Sequence, residues 1–263
     1  MSDNLYQHFH NIIDRQPDAP FLTTPAGRRI RYGDLPALTA QIAGALTALG
    51  VKPGDRVAVQ VEKSPETVLL YLACLRMGGV YLPLNTAYTG EEIAYFIGDA
   101  EPALFVCRPQ DAATARELCA AHGDTAVATL SADGNGSLMD AANQAEPFAG
   151  IAPRRVDDLA SILYTSGTTG RSKGAMLTHG NLLSNMMQFR ARSVLAMQDR
   201  MENVAAPLPL YHSYAFLMHC FAMPFAGNHN VLIPNPRDIP ALIKALKRYK
   251  VSGFVGINTL YLA

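Results

Sequence analysis

Charge of one sign is what this sequence has least of: 22 lysines and arginines meet 22 aspartates and glutamates in 263 residues, for a net charge of +0. No broad field is left to recruit nucleic acid or an anionic membrane, so partners are recognised locally. Long hydrophobic runs are missing as well. The longest apolar stretch, Tyr214 to Gly227, is interrupted by His219 and Pro224 and is too short to span a bilayer. The start, Met1-Ser2-Asp3-Asn4, lacks the basic residues and apolar block of a secretory signal, and a cytoplasmic location is expected. Cys74, Cys107, Cys119 and Cys220 form no Cys-x-x-Cys pair, so they read as reduced thiols buried as small hydrophobes. No His-x3-His pair stands near carboxylates, which argues against a protein-built metal site.

What is present is a globular composition. With 49% hydrophobic and 17% charged residues the chain can bury a sizeable core, as one large or two small domains. From Tyr32 onward helical and strand periods alternate, the pattern of an α/β fold with a largely parallel sheet. Asp34 is placed to cap a helix running through Leu38, Ile42 and Leu46 to Gly50, and Arg56 to Val61 follows as a strand. Ser64 and Pro65 open a helix through Val68, Leu72 and Leu75 that stops at Gly78-Gly79. Val80 to Leu84 and Ala103 to Cys107 read as strands, with a capping box of Thr89 and Glu92 starting the helix between them. Leu159 to Tyr164, Ala205 to Leu210, Asn230 to Pro234 and Ser252 to Gly256 read as further strands. Asn181 to Arg190 and Ile239 to Tyr249 read as helices, the latter introduced by Asp238 and Pro240. Turn residues and prolines place a joint near 131 to 158, so the expected domains are 1–155 and 156–263.

The run Tyr164-Thr165-Ser166-Gly167-Thr168-Thr169-Gly170-Arg171-Ser172-Lys173-Gly174 packs glycines, hydroxyls and two cations behind an apolar segment. Gly167, Gly170 and Gly174 let the backbone approach a ligand and point its N–H groups inward. Ser166, Thr168 and Thr169 add hydroxyl donors, and Arg171 and Lys173 supply charge for a polyphosphate. The ligand this chemistry suits is ATP. The spacing differs from the Gly-x4-Gly-Lys-Ser/Thr loop of NTPases, because Lys173 follows Gly170 by three. A second candidate is Pro207-Leu208-Pro209-Leu210-Tyr211-His212-Ser213-Tyr214, where a strand runs into an aromatic, a histidine and small polar groups suited to a pocket rim. His219 and His179 read as core or capping residues, and Asn235-Pro236-Arg237-Asp238 as a loop and helix cap.

The first run resembles, nearly residue for residue, the Tyr-Thr-Ser-Gly-Thr-Thr-Gly-x-Pro-Lys-Gly signature of the acyl-adenylate-forming superfamily. Ser172 stands where that family usually has proline. Leu75 to Leu84 and Ile30 to Leu35 resemble two structural motifs of the same superfamily. The resemblance implies the large amino-terminal domain of such an enzyme, with mainly parallel sheets flanked by helices. It implies an acid:CoA ligase that uses ATP, Mg2+ and coenzyme A. Thr165, Ser166, Gly167, Thr168, Thr169, Gly170 and Lys173 would hold the phosphates, with Thr165 or Thr169 reaching an ATP-bound Mg2+. His212 and Lys173 would be catalytic, and Ser213, Tyr214, Gly256, Asn258 and Thr259 would join His212 around the acyl group.

Two branches of the superfamily are represented. Residues near 56–178, with Glu62-Lys63-Ser64 and Tyr81 to Thr89, resemble malonyl-CoA synthetases. Residues near 205–263, with Gly256-Ile257-Asn258-Thr259-Leu260, resemble bacterial long-chain fatty acyl-CoA ligases. Acyl choice in the superfamily resides mainly in the later segments, which points to a fatty acid, and a peripheral membrane contact stays open. A malonate site needs a buried cation for the second carboxylate, and Arg237 sits in a loop context that does not supply one. Family members are roughly twice this length. The adenine-binding stretch, metal-binding glutamate, ribose-binding aspartate, hinge and small carboxy-terminal domain with its lysine all lie past the position matching Ala263. A third reading is therefore a non-catalytic fragment binding nucleotide weakly at most. Apolar faces around Phe254, Leu260, Tyr261 and Leu262 would then be uncovered, and such a fragment would be poorly soluble or incompletely folded.

Overall fold

The computed structural model describes residues 3–165, 171–192 and 201–262. In chain order it opens with α1 (Gln7–Arg15), β1 (Pro20–Thr23), β2 (Arg29–Arg31) and α2 (Leu35–Ala48). Strands and helices then alternate as β3 (Arg56–Gln60), α3 (Pro65–Met77), β4 (Val80–Pro83), α4 (Gly90–Ala100) and β5 (Leu104–Cys107). Next come α5 (Ala112–His122), β6 (Ala126–Thr129), α6 (Ser137–Gln144), β7 (Leu159–Thr165), β8 (Lys173–Thr178) and α7 (His179–Arg192). The chain continues through β9 (Asn203–Ala206), α8 (Ser213–Phe216), a π turn (Leu217–Ala222) and α9 (Met223–Phe225). It ends with β10 (His229–Leu232), α10 (Ile239–Arg248), β11 (Gly253–Phe254) and α11 (Asn258–Tyr261). No described helix is long and apolar enough to cross a membrane.

These elements form two compact units: Met1–Gln7, Ala37–Glu62 and Glu66–Leu182 in the first, His8–Pro36, Lys63–Pro65 and Leu183–Ala263 in the second. The expected 155/156 division differs from this, for a physical reason. Long-range strand pairing sets the observed division: β1 pairs with β10 and β2, which draws His8–Pro36 into the second unit. β7 then joins the first unit's sheet beside β4.

The first unit is built on a six-stranded sheet in the order β6-β5-β3-β4-β7-β8, parallel throughout except for β8, which runs antiparallel to β7. Such a sheet is covered on both faces, which is why β4 and β5 read as continuous apolar runs. Ile93, Phe96 and Ile97 of α4 and Ala115 of α5 pack on Leu82 and Phe105 of the strands. α4 starts at the Thr89–Glu92 capping box, with both reciprocal bonds formed. α3 is buried on every side: Val68 through Leu75 are each at most 1% exposed. The single stripe read from its sequence therefore understates its burial.

The second unit holds a five-stranded sheet, β11-β9-β10-β1-β2, in which only β2 is antiparallel to its neighbour. β9 ends at Ala206, short of the strand expected to reach Leu210, because Pro207 and Pro209 have no N–H to offer a ladder. Asp238 caps α10 as expected, accepting the Ala241 N–H at 3.1 Å. Asp34 instead accepts the Arg31 N–H at 2.8 Å and closes a 3-10 turn ahead of α2. All four cysteines are free and buried.

Three histidines are buried as neutral rings. In the second unit His229 of β10 joins both neighbouring strands, with Nδ1 at 2.9 Å from Asn203 Oδ1 of β9 and Nε2 at 2.7 Å from Thr23 Oγ1 of β1. Asn203 turns its amide nitrogen to the Tyr249 carbonyl, so His229 Nδ1 carries the proton and Nε2 accepts from the threonine hydroxyl. On the π turn, His219 Nδ1 likewise donates to Asn230 Oδ1 at 2.9 Å. His179 of the first unit accepts the Leu5 N–H on Nδ1 at 3.1 Å. Burial holds each of the three down to about 4, below the ordinary 6.5, helped by Arg154 at His179, Lys63 at His219 and Arg29 at His229. Between those two values the unfolded chain binds protons that the folded chain refuses. The contribution of these three rings to stability is therefore full above pH 6.5 and falls as the pH drops toward 4. Urea titrations between pH 7 and 4.5 should show a loss steeper than about 1.4 kcal/mol per pH unit, the slope for one proton; a flat profile would show that these rings are not buried neutral.

Candidate functional site

In the first unit the glycine-rich run is framed as a hairpin. Parallel strands open their carboxyl ends toward ligands, and β7 delivers the run from that edge of its sheet. Thr165 at the end of β7 pairs with Lys173 at the start of β8, and Tyr164 with Gly174. Both ends of the loop are thus held one residue pair apart. Thr165 Oγ1 donates to the Lys173 carbonyl at 3.5 Å, and the Thr165, Arg171 and Lys173 side chains are exposed. Ser166, Gly167, Thr168, Thr169 and Gly170 lie outside the described residues.

The base of this hairpin is braced by α4. The Tyr164 ring lies on Phe96 with centroids 4.4 Å apart, and its hydroxyl donates to the Asp99 carboxylate. Burial, and then the bond and charge of Asp99, push the Tyr164 hydroxyl up, so it remains a donor. Tyr95, one residue before Phe96, donates its hydroxyl to the Ser172 carbonyl at 2.8 Å. Glycine at 174 is required by the packing: a Cβ there would meet Ile162 Cγ2 at 2.8 Å and the Tyr164 ring at 3.5 Å. Strand β8, Tyr95 and Asp99 were not legible as parts of the site. Asp99 is 65 residues from Tyr164, and β8 shows no alternating burial.

In the second unit, β9 and β11 are parallel neighbours, so the segments after them leave the same edge of the sheet. The β9 segment turns at Pro209–His212, closed by His212 N–H to Pro209 O at 3.1 Å. His212 then stands at the amino end of α8, its carbonyl accepting the Phe216 N–H at 2.8 Å. His212, Ser213 and Tyr214 are exposed, as are Asn258 and Thr259 on the first turn of α11; Gly256 is half-buried. A cavity of 210 Å³ lies in this unit, walled mainly by Phe189, Val204, Tyr214, Met218, Phe254 and Val255. Glu202 is also in its wall, with a carboxylate accepting the Ser252 hydroxyl. Tyr214 is the one predicted pocket residue among its described lining; Phe189 and Met218 carried no signal in the motifs.

Comparison with known proteins gives consistent matches. The model of the AMP-binding enzyme family matches residues 9–263. A long-chain-fatty-acid–CoA ligase of Salmonella typhimurium is 30% identical over 98% of this chain and 51% of its own length. A feruloyl-CoA synthase of an Amycolatopsis species is 34% identical over 90% of this chain and 45% of its own. MatB from Rhodopseudomonas palustris, as crystallised without ligand and with ATP bound, is 40% identical and superposes with TM-scores of 0.89 and 0.87. Those matches cover 100% of this chain and 50% of MatB. The chain spans about half the length of the curated relatives it matches.

The packing around residue 174 gives a direct check. Gly174→Ala forces the Ile162 methyl or the strand to shift, at an expected cost of about 1–2 kcal/mol. Urea melts of the purified variant should show that loss; an unchanged midpoint would mean the hairpin base is looser than the β7–β8 register implies.

Proposed function

Because the chain belongs to the AMP-binding enzyme family, we propose that it acts as, or as part of, an ATP-dependent acid:CoA ligase. The observation that carries this reading is the β7–β8 register, which sets Thr165 beside Lys173 at the carboxyl end of β7, the end at which a parallel sheet would receive a nucleotide. In the proposed first step a substrate carboxylate oxygen attacks the α-phosphorus of ATP, the bond to the bridging oxygen breaks, and pyrophosphate leaves. In the second, the coenzyme A thiol loses its proton and attacks the acyl carbon, and AMP departs. Catalysis is largely positioning and charge neutralisation.

Thr165 through Lys173 would hold the β- and γ-phosphates: Thr165, Ser166, Thr168 and Thr169 by hydroxyls, Gly167 and Gly170 by N–H groups, Lys173 by charge. Among the described residues no cluster of His, Cys, Asp or Glu is arranged to hold a metal. Mg2+ would arrive on the nucleotide, with Thr165 or Thr169 as its contact, and would supply charge to the leaving pyrophosphate. His212, exposed at the start of α8, would orient the acyl carboxylate. Both ATP and coenzyme A are cytoplasmic substrates, which is where we place the reaction; a fatty substrate would add contact with a membrane surface.

For the acid itself, the cavity bounded by Tyr214 and Met218 favours an apolar chain, since its described wall holds no lysine or arginine and does hold Glu202. Malonate is the second reading, favoured by the resemblance of residues 56–178 and by the 40% identity to MatB. Hydroxylamine trapping with Mg-ATP separates the two: palmitate should give hydroxamate well ahead of malonate, and the reverse order would reassign the substrate. Lys173→Ala should slow acid-dependent pyrophosphate exchange on the order of a hundredfold. Exchange at the wild-type rate would remove Lys173 from the mechanism.

A further inference from the structure

Lys63 belongs to the short segment Lys63–Pro65 of the second unit. Its side chain is half-buried, and its Nζ donates to three consecutive carbonyls: Ala206 at 2.9 Å, Pro207 at 2.8 Å and Leu208 at 3.1 Å. An ammonium has three N–H donors, and here all three are used. Successive carbonyls of an extended strand point to opposite sides, so three converging on one atom mark a sharp change of course. The change falls where β9 ends. Beyond Ala206, sheet pairing cannot guide the chain, because Pro207 and Pro209 lack N–H groups. Pro207 and Leu208 are nonetheless buried, and their carbonyls need a donor there.

We propose that Lys63 is the positioning residue of the His212 turn, its amino group fixing where the chain leaves β9 and hence where His212 is presented. The steps from Leu208 to His212 are short: one residue to Pro209, then a turn closed by the 3.1 Å bond from His212 N–H to Pro209 O. The partners are 143, 144 and 145 residues from Lys63 in sequence, so this tie belongs to the fold and not to local chain preference. His219 on the π turn is the titratable group coupled electrostatically to Lys63. It is fully buried and neutral, and its Nε2 has no hydrogen-bond partner among the described residues. A neutral imidazole is the neighbour a half-buried ammonium tolerates. Only the importance of His212 to catalysis rests on the acid:CoA ligase reading; the anchoring does not.

Burial lowers Lys63 from 10.5 to about 7, against the pull of the three carbonyls, which favour the charged form. Opening the segment to water restores the higher value. Above pH 7 the closed form holds a neutral amine whose two N–H groups still serve these carbonyls, while the open form binds a further proton, so rising pH favours closure by up to about tenfold per unit. His219 stays neutral across this range and adds no slope of its own.

Residue-resolved hydrogen exchange tests the anchoring on the chain as it is. After correction for intrinsic chemistry, protection of the Leu208, Leu210, Tyr211 and His212 amides should rise between pH 7 and 9. Lys63→Met should speed exchange of these amides at least about tenfold and abolish the slope, with β1 and β10 amides unchanged. Lys63→Arg keeps the charge at every pH and should also lose the slope, even if Lys63→Met proves unstable. Wild-type protection at these amides in Lys63→Met, or a slope that survives either substitution, would overturn the proposal. In an active acid:CoA ligase that contains this chain, Lys63→Met should raise KM for the acid and leave KM for ATP unchanged. A wild-type enzyme without acid-dependent pyrophosphate exchange would defeat the ligase reading, while the exchange data would still decide the role of Lys63.

Discussion

The pairing of β7 with β8 is the interaction on which the carboxyl end of β7 depends. Side chains alternate along a strand, so a slip of one residue in β8 would turn Gly174 away from Ile162 and Tyr164 and bring a side chain into that space. The register is therefore held by a packing requirement as well as by backbone bonds. Thr165 faces Lys173, so the last residue of β7 and the first of β8 are held as a pair. The rest of the unit fixes that pair in space. β7 is paired with β4, while α4 supplies Phe96 under the Tyr164 ring, Asp99 to its hydroxyl and Tyr95 to the Ser172 carbonyl. α4 itself is set by the Thr89–Glu92 box, so a local capping rule reaches the site through one helix.

The second unit solves a different problem, that of holding polar groups inside a parallel sheet. His229 spans three strands only as a neutral ring, since it needs one N–H for Asn203 and one lone pair for the Thr23 hydroxyl. A second proton would cost desolvation and replace an acceptor with a donor. His219 and Asn230 form a comparable pair, with the asparagine amide returning to the His219 carbonyl at 3.0 Å. Lys63 meets the same demand outside the sheet, where prolines end the ladder and carbonyls are left over. Neutral histidines and one ammonium thus do inside this unit what backbone N–H groups do elsewhere.

How much of this was readable from the chain depends on the range of the interaction. Caps and turns are local, so the Thr89–Glu92 box and the Asp238 cap were legible, as were β3, β4, β5 and β7 from their apolar runs. The glycine-hydroxyl run was legible as a motif, and its spacing sets it apart from the NTPase fingerprint, but Ser166 to Gly170 lie outside the described residues. The hairpin of β1 and β2 was not read, nor was β8, whose exposed positions follow no period of two. The early end of β9 could have been foreseen from Pro207 and Pro209, but the apolar run hid it. The two-unit division was not legible because it depends on long-range strand pairing, β7 with β4 in the first unit and β1 with β10 in the second, and not on the turn-rich composition of 131–158. The tie from Lys63 has no signature at all in sequence spacing.

Charge, more than volume, decides which acid the proposed site would take. Each methylene moved from water into the apolar wall gains about 0.8 kcal/mol, so a chain of several carbons accumulates affinity gradually. A second carboxylate entering the same cavity meets no described cation and faces Glu202, whose carboxylate is already committed to Ser252. An unpaired buried carboxylate costs several kcal/mol, more than a handful of methylenes returns. Malonate would therefore need either its own neutralisation or a binding mode that keeps its second carboxylate in water. The exposed His212, Ser213, Asn258 and Thr259 leave the sheet on the same edge and could serve the second alternative, but only outside the cavity. In the proposed site the second unit would thus offer a hydrocarbon chain its apolar cavity and leave a charged end to the exposed residues outside it.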